Sequence, residues 1–479
     1  MQFPPRPRPT PTRRRSGSSS TLARALRVGL TLAALAPRAL AAMPQEPVAS
    51  PQPPEVGAGA AGSAGSGATP PAAPPLVRGQ LRSRYLSRWT DDHADNDLFT
   101  TLSVDVGDSE RHDVTAHLMG RVTWDMDGRD RTFASINDSY GGPFDTLLYD
   151  AWVDLHRLRG LSRLRIGRQS TSDTPVFTWF DGVHATSEEF GAIALQVGAY
   201  FGSSTHLYEA SKSGDLTAGA YAQLRPWATG RLRVDYQYFE DDARFRGHKD
   251  GLLGVGFWQN FGKALQVDAQ YSRIEDRDRD ARARFSYRLP EHGLFVQASY
   301  YRLLQSQGDL VLELDPYFNA LNELQPYNKW SLLISKTLVE KLTVSAAADL
   351  RRVASAADVG VYNRDYDHYY ANAVLADLWV SGLSVTGTLD LWDSNGQLLK
   401  SGGCDASYAF GQETVSLGTY YSLYKFDLFT NTERDHVRTY FLRLRHAATD
   451  ALTFEGNYEF EDTDLAGFHR LRLGVTWRF

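Results

Sequence analysis

His469-Arg470-Leu471-Arg472-Leu473-Gly474-Val475-Thr476-Trp477-Arg478-Phe479 closes the sequence, and its alternation decides the fold. In an extended strand successive side chains point to opposite sides. His469, Leu471, Leu473, Val475, Trp477 and Phe479 therefore share one face, and Arg470, Arg472, Gly474, Thr476 and Arg478 share the other. The preceding segment repeats the pattern: Leu452, Phe454, Tyr458 and Phe460 oppose Thr453, Glu455, Asn457, Glu459 and Glu461. Before that, Tyr440, Leu442 and Leu444 alternate with Phe441, Arg443 and Arg445. Farther upstream Leu232, Val234, Tyr236 and Tyr238 oppose Arg231, Arg233, Asp235 and Gln237, and Leu265, Val267, Ala269 and Tyr271 oppose Gln266, Asp268 and Gln270. Leu383, Val385, Leu389 and Leu391 oppose Ser384, Thr386 and Asp390 in the same way.

A soluble sandwich or propeller also alternates, with its apolar strand faces turned to a core. Here the polar faces carry long charged side chains, and the apolar faces end in Tyr, Trp or Phe, as at the interfacial girdles of a membrane barrel. The 479 residues are 23% charged and 12% aromatic, with 24 Tyr, 23 Phe and 10 Trp. A transmembrane barrel reconciles those values, because only alternate residues of each strand face lipid. No stretch of the mature chain approaches the roughly 20 apolar residues of a membrane helix. The expected fold is all-β: a transmembrane antiparallel β-barrel over residues 77–479, with about 20 strands (within about two either way) and an even count. A terminal aromatic such as Phe479 is the address that barrel-assembly machinery reads.

The N-terminus reads as a signal peptide over residues 1–41. Arg13, Arg14 and Arg15 lie in a basic stretch, an apolar segment follows over Val28–Ala36, and Ala39-Leu40-Ala41 supplies a small-residue cleavage pattern. Residues 42–76 are rich in Pro, Ala, Gly and Ser, as in Gly57-Ala58-Gly59-Ala60-Ala61-Gly62, and read as a disordered linker. The first 42 residues hold eight arginines and no acid, so the remainder has 43 basic against 57 acidic side chains, a formal charge of −14. That balance argues against nucleic acid as a partner. Cys404 is the single cysteine, which excludes an intrachain disulfide, a CxxC zinc site and a CxxCH haem attachment. No cofactor is expected.

If the apolar faces meet lipid and lipopolysaccharide, the polar faces line a lumen. Candidate pore-lining residues are Arg163, Arg165, Arg168, Asp181, Arg233, Asp235, Arg284, Arg443, Arg445, Glu455, Glu459, Arg470 and Arg472. In the last three strands an acidic row lies between two basic rows, close enough for cross-strand ion pairs. Paired, such charges merely satisfy a wet wall; unpaired arginines would set a field that selects anionic or polyhydroxylated solutes. Ser306–Asn328 and Asp358–His368 read as long loops. Asp276-Arg277-Asp278-Arg279-Asp280 reads as a charged hairpin tip, a solvated turn or a calcium site.

Leu164-Arg165-Ile166-Gly167-Arg168-Gln169, followed after Ser170–Trp179 by Phe180-Asp181-Gly182-Val183, resembles the Gly-Arg-Gln then Phe-Asp-Gly-Val pattern of the alginate-export-type porins. In that family the intervening stretch is longer. The resemblance implies an outer-membrane barrel passing anionic polysaccharide or small organic solutes, with Arg165, Arg168 and Asp181 lining or bracing the pore near a constriction. The alternative for Arg168 and Asp181 is a pair that pins their hairpin.

The function expected is an outer-membrane porin or channel for small hydrophilic, anionic or carbohydrate-like solutes, as a monomer or homo-oligomer. A second reading is a structural conduit sheathing a partner such as a cytochrome or a secretion component. An enzyme is disfavoured, because His156, His184, His206 and His446 are scattered without a G-x-S-x-G or H-E-x-x-H pattern.

Overall fold

The computed structural model describes residues 76–479 except 128–142, 172–177, 206–214, 241–248, 306–324, 360–362, 395–396, 428–431 and 465–466. Residues 1–41 and 42–76, expected as signal peptide and linker, fall outside the described residues, apart from Leu76, whose carbonyl accepts a hydrogen bond from Gly107 N at 2.7 Å. The described residues form 22 strands: β1 (Val77–Trp89), β2 (Ala94–Val106), β3 (Val114–Asp125), β4 (Phe144–Leu158), β5 (Leu161–Thr171), β6 (Thr178–Ser187), β7 (Gln196–Ser204), β8 (Leu216–Leu224), β9 (Gly230–Glu240), β10 (Lys249–Phe261) and β11 (Leu265–Ile274). The chain continues with β12 (Arg277–Leu289), β13 (Leu294–Leu303), β14 (Tyr327–Val339), β15 (Leu342–Val353), β16 (Tyr366–Leu375), β17 (Leu383–Ser394), β18 (Gln397–Phe410), β19 (Glu413–Asp427), β20 (Thr432–Ala447), β21 (Leu452–Asp462) and β22 (Phe468–Arg478). The expectation of about 20 strands becomes 22, an even number.

Each strand pairs antiparallel with its sequence neighbours, and β1 pairs with both β2 and β22, so the sheet closes on itself. The closing register runs from Gln80↔Arg478 to Trp89↔His469. Beyond it Gly79 and Phe479 exchange backbone hydrogen bonds of 2.8 and 3.0 Å. The Phe479 ring lies over Gly79, where a Cβ would sit 2.3 Å from a ring carbon. The C-terminal aromatic thus needs glycine at the start of β1 to complete the seam. Closure leaves no unpaired edge, the condition for a sheet to cross hydrocarbon. Strands of nine to 16 residues are long enough, since about nine to 11 tilted residues span a bilayer.

Side chains sort by parity. On β22 the outward Leu473, Val475 and Trp477 are 48%, 38% and 48% exposed, while the inward Thr476 is 8% exposed. Outward aromatics gather at both ends: Trp477 and Phe479 (centroids 4.9 Å apart) with Tyr408 and Phe410 (5.0 Å) at one, and Trp89, His469 and Phe460 at the other. Between them the outer face is mainly aliphatic, with Leu389, Leu417, Leu442, Leu473 and Val475 exposed. An apolar band between aromatic girdles matches the cross-section of a membrane.

The end where β1 begins and β22 ends carries tight turns, such as Arg159-Gly160 and Gly411-Gln412, with φ of 80° at Gly160 and 58° at Gly411. The opposite end carries the long connections, including 126–143 and 304–326. Of the loops expected from sequence, 306–324 lies outside the described residues, and Tyr327 and Asn328 already belong to β14. The Asp358–His368 expectation is corrected at its far end, where Tyr366 and His368 open β16. The charged hairpin tip shrinks to Glu275-Asp276, with Arg277–Asp280 inside β12, because the cross-strand pair Arg273–Asp278 at 3.2 Å extends the ladder.

Candidate functional site

The inner wall is built by every second residue of each strand, so its chemistry follows from register. Across the seam, Glu459 on β21 faces Arg470 on β22 at 3.0 Å, and Arg470 stands opposite Arg88 on β1. Arg88 in turn lies between Asp95 and Asp97 of β2, 3.1 Å from the latter. Two rows deeper, Glu455 lies 4.0 Å from Arg445 of β20 and 3.8 Å from Arg82 of β1. It reaches Arg82 on the diagonal across β22, where the residue directly opposite Glu455 is Gly474 and offers no side chain in the way; the Glu455 Cβ lies 3.5 Å from where a Cβ at 474 would stand. Arg443 lies over the Phe441 ring at 4.5 Å, and Arg472 is opposite Asn457.

A second network crosses β2 to β5. Arg165 makes a bidentate contact with Asp154 at 2.7 and 2.8 Å and lies 3.5 Å over the Trp152 ring. Trp152 stacks on His117 at 5.2 Å, and His117 Nδ1 is 2.7 Å from Asp105. Fork-to-carboxylate geometry with a stacked ring fixes a guanidinium firmly. Arg163 stands beside His156 and Thr186. On β9, Arg233 contacts Asp235 at 2.7 Å and covers the Tyr221 ring at 3.9 Å. Tyr221 lies flat over Gly198 and Tyr200 over Gly219, so two aromatics on β7 and β8 fill each other's glycine gaps. Arg284 meets Asp268 at 2.8 Å.

Arg168 and Asp181 are the exceptions, and their expected place in the pore lining is corrected. They form a bidentate pair at 2.7 Å across β5 and β6. Their parity is that of Ile166 and Val183, which are 47% and 41% exposed on the outer face, whereas the neighbouring Gln169 and Phe180 turn inward and are fully buried. The pair therefore sits outside the barrel near the long-loop end, where it pins the hairpin.

Several inward residues escaped the sequence reading. β1 offers Arg78, Arg82, Arg84 and Arg88 at every second or fourth position, but its outward face holds Gly79, Ser83 and Ser87, so the apolar half of the signal is weak. Arg121 lies on β3, 5.7 Å from the Tyr149 ring. His368 of β16 stacks on Trp392 at 3.9 Å and binds Asp390 at 3.0 Å. Asp95, Asp125 and Asp127 converge at the long-loop end closely enough to share an ion, but Arg88 already compensates Asp95. Among the described residues Arg121, Arg282, Arg288 and Arg443 have no carboxylate within ion-pair distance.

No family model and no curated protein matches the chain. Solved structures do. The P pilus usher (PapC) translocation pore aligns with a TM-score of 0.50 and 10% identity, over 84% of this chain and 99% of that one. The fold is that of an outer-membrane pore. A second structure of the usher, in an E. coli P pilus tip assembly intermediate, aligns with a TM-score of 0.51 and 9% identity, over 84% of this chain and 60% of that one. The outer membrane protein opdK from Pseudomonas aeruginosa aligns over 84% and 98%, with 13% identity and a TM-score of 0.42.

Proposed function

We propose that the chain is a channel of the bacterial outer membrane that lets small hydrophilic solutes diffuse and favours anions. The observation that carries this is the set of inward guanidiniums, Arg121, Arg282, Arg288 and Arg443, without a carboxylate at ion-pair distance among the described residues. A fixed positive charge on a water-filled wall lowers the energy of an anion beside it and raises that of a cation. The closed sheet and apolar outer band support residence in the outer membrane, contact with lipid and lipopolysaccharide, and assembly by the barrel-assembly machinery. The tight turns then face the periplasm and the long connections the exterior. The resemblance to alginate-export-type porins enters through Arg165, the one charged residue of that motif on the inner wall. Purified full-length chain added to planar bilayers is the test. Stepwise conductance supports the channel; a folded barrel that never conducts rejects it and returns weight to a sheath around a partner protein.

A further inference from the structure

A cavity of about 150 Å³ opens in the inner wall where β1, β2, β3 and β4 run side by side. Arg82, Arg84, Phe99, Thr101, Met119, Arg121 and Tyr149 line it. Register explains the convergence. Arg82 and Arg121 flank Thr101 in one row, and Arg84 stands opposite Phe99 in the next. Tyr149 joins them because β4 shifts register between Met119 and Gly120, pairing Asp150 with one and Leu148 with the other; Tyr149 is the extra residue. Such bulges re-aim a side chain.

The lining has two chemistries. Three guanidiniums meet there, and no carboxylate is among the lining residues. Glu455 is 3.8 Å from Arg82 and shared with Arg445. Arg121 is half-buried, its Nε is buried without a hydrogen-bond partner, and it has no ion pair among the described residues. A guanidinium so placed matches a carboxylate's two oxygens. The other chemistry is aromatic. Phe99 and Tyr149 stand on the two sides, each with a guanidinium 5.8 or 5.7 Å from its centroid, the outer limit of cation–π contact. A flat ring between them gains stacking at both faces. Roughly 150 Å³ is the size of cavity that admits a benzene-sized molecule.

We propose that this pocket is a binding subsite for a small aromatic carboxylate, benzoate being the simplest. Arg121 and Arg82 or Arg84 hold the carboxylate, and Phe99 and Tyr149 hold the ring. This deepens the channel reading, on which it rests only for the idea that the site lies on a permeation path.

The test is isothermal titration of detergent-solubilised full-length chain with benzoate, cyclohexanecarboxylate, acetate and inorganic phosphate, run beside bilayer conductance of the same preparation. Benzoate is expected to bind at least about tenfold more tightly than acetate and phosphate, and more tightly than the saturated ring, which lacks an aromatic face. Arg121→Gln is expected to weaken benzoate about tenfold or more while leaving the heat-modifiable gel mobility of a folded barrel unchanged. Should that variant fail to fold, Phe99→Leu is expected to erase the preference for benzoate over cyclohexanecarboxylate. Equal affinity for benzoate and acetate, or a phosphate preference, overturns the subsite even if the protein conducts. Tight benzoate binding by a barrel that does not conduct keeps the subsite and rejects the channel.

Discussion

Gly198→Ala should weaken the barrel markedly, although both residues suit a small strand position. A Cβ at 198 would stand 2.3 Å from two Tyr221 ring carbons and 2.6 Å from its hydroxyl. The ring must then move. Tyr221 lies under Arg233 at 3.9 Å, its hydroxyl is 3.2 Å from Thr186 Oγ1, and its edge meets His184 at a centroid distance of 6.1 Å. Losing the cation–π contact costs about 0.5–2 kcal/mol. The hydrogen bond adds about 1 kcal/mol, and the aromatic pair about 0.5–1.5 kcal/mol. Replacing glycine returns about 0.4–1 kcal/mol through the unfolded chain. The expected net loss is about 2 kcal/mol. Gly387 on β17 is the internal control, since a Cβ there meets nothing within 4 Å. Gly387→Ala should stay within about 0.5 kcal/mol of the parent. Urea unfolding in phospholipid vesicles, followed by tryptophan fluorescence and heat-modifiable mobility, compares the three proteins. Equal stability of Gly198→Ala and the parent, or an equal loss at Gly387, refutes the packing reasoning.

Other perturbations probe the two faces. Glu455→Gln should increase chloride preference, because it withdraws the carboxylate shared by Arg82 and Arg445; an unchanged reversal potential would show that this row lies off the ion path. Arg168→Ala should leave ion preference untouched and cost on the order of 1 kcal/mol or less, as expected of a solvent- and headgroup-accessible pair. A selectivity change there would put the pair in the lumen. Leu473→Arg, at the middle of the outward row of β22, should cost about 2–4 kcal/mol in vesicle refolding. Gly474→Ser, one residue away on the inner face, should cost less than about 1 kcal/mol; comparable losses at both positions would contradict the assigned faces.

The fold was legible because parity is local. Leu473 against Arg472, or Val234 against Arg233, needs only the two-residue period of a strand and a reason for long charged side chains to line one face. The count of 22 falls at the upper bound of the expected range, and a sharper figure was out of reach because strands such as β1 and β8 have small outward residues, Ser83 and Ser87 in one and Ala218, Ala220 and Ala222 in the other, which blur an apolar row. The site was legible only in part. Arg165, Arg233, Arg284 and the charges of β20–β22 could be assigned to the inner wall from their own strands. Arg168 could not, because Gly167, at φ 126°, joins two arginines of opposite parity in a motif read as one unit. The pocket at Arg82, Arg84 and Arg121 was out of reach for another reason: it depends on register across four strands and on a bulge that no single segment encodes.

The most direct measurement is the reversal potential of the purified full-length chain in a planar bilayer under a potassium chloride gradient, with Arg165→Ala and Arg443→Ala alongside. Unitary steps with a reversal potential displaced toward chloride equilibrium are expected, and Arg443→Ala should reduce the displacement more than Arg165→Ala, whose guanidinium is already matched by Asp154. A folded barrel with no steps, or one whose reversal potential falls on the potassium side, would contradict an anion-favouring channel.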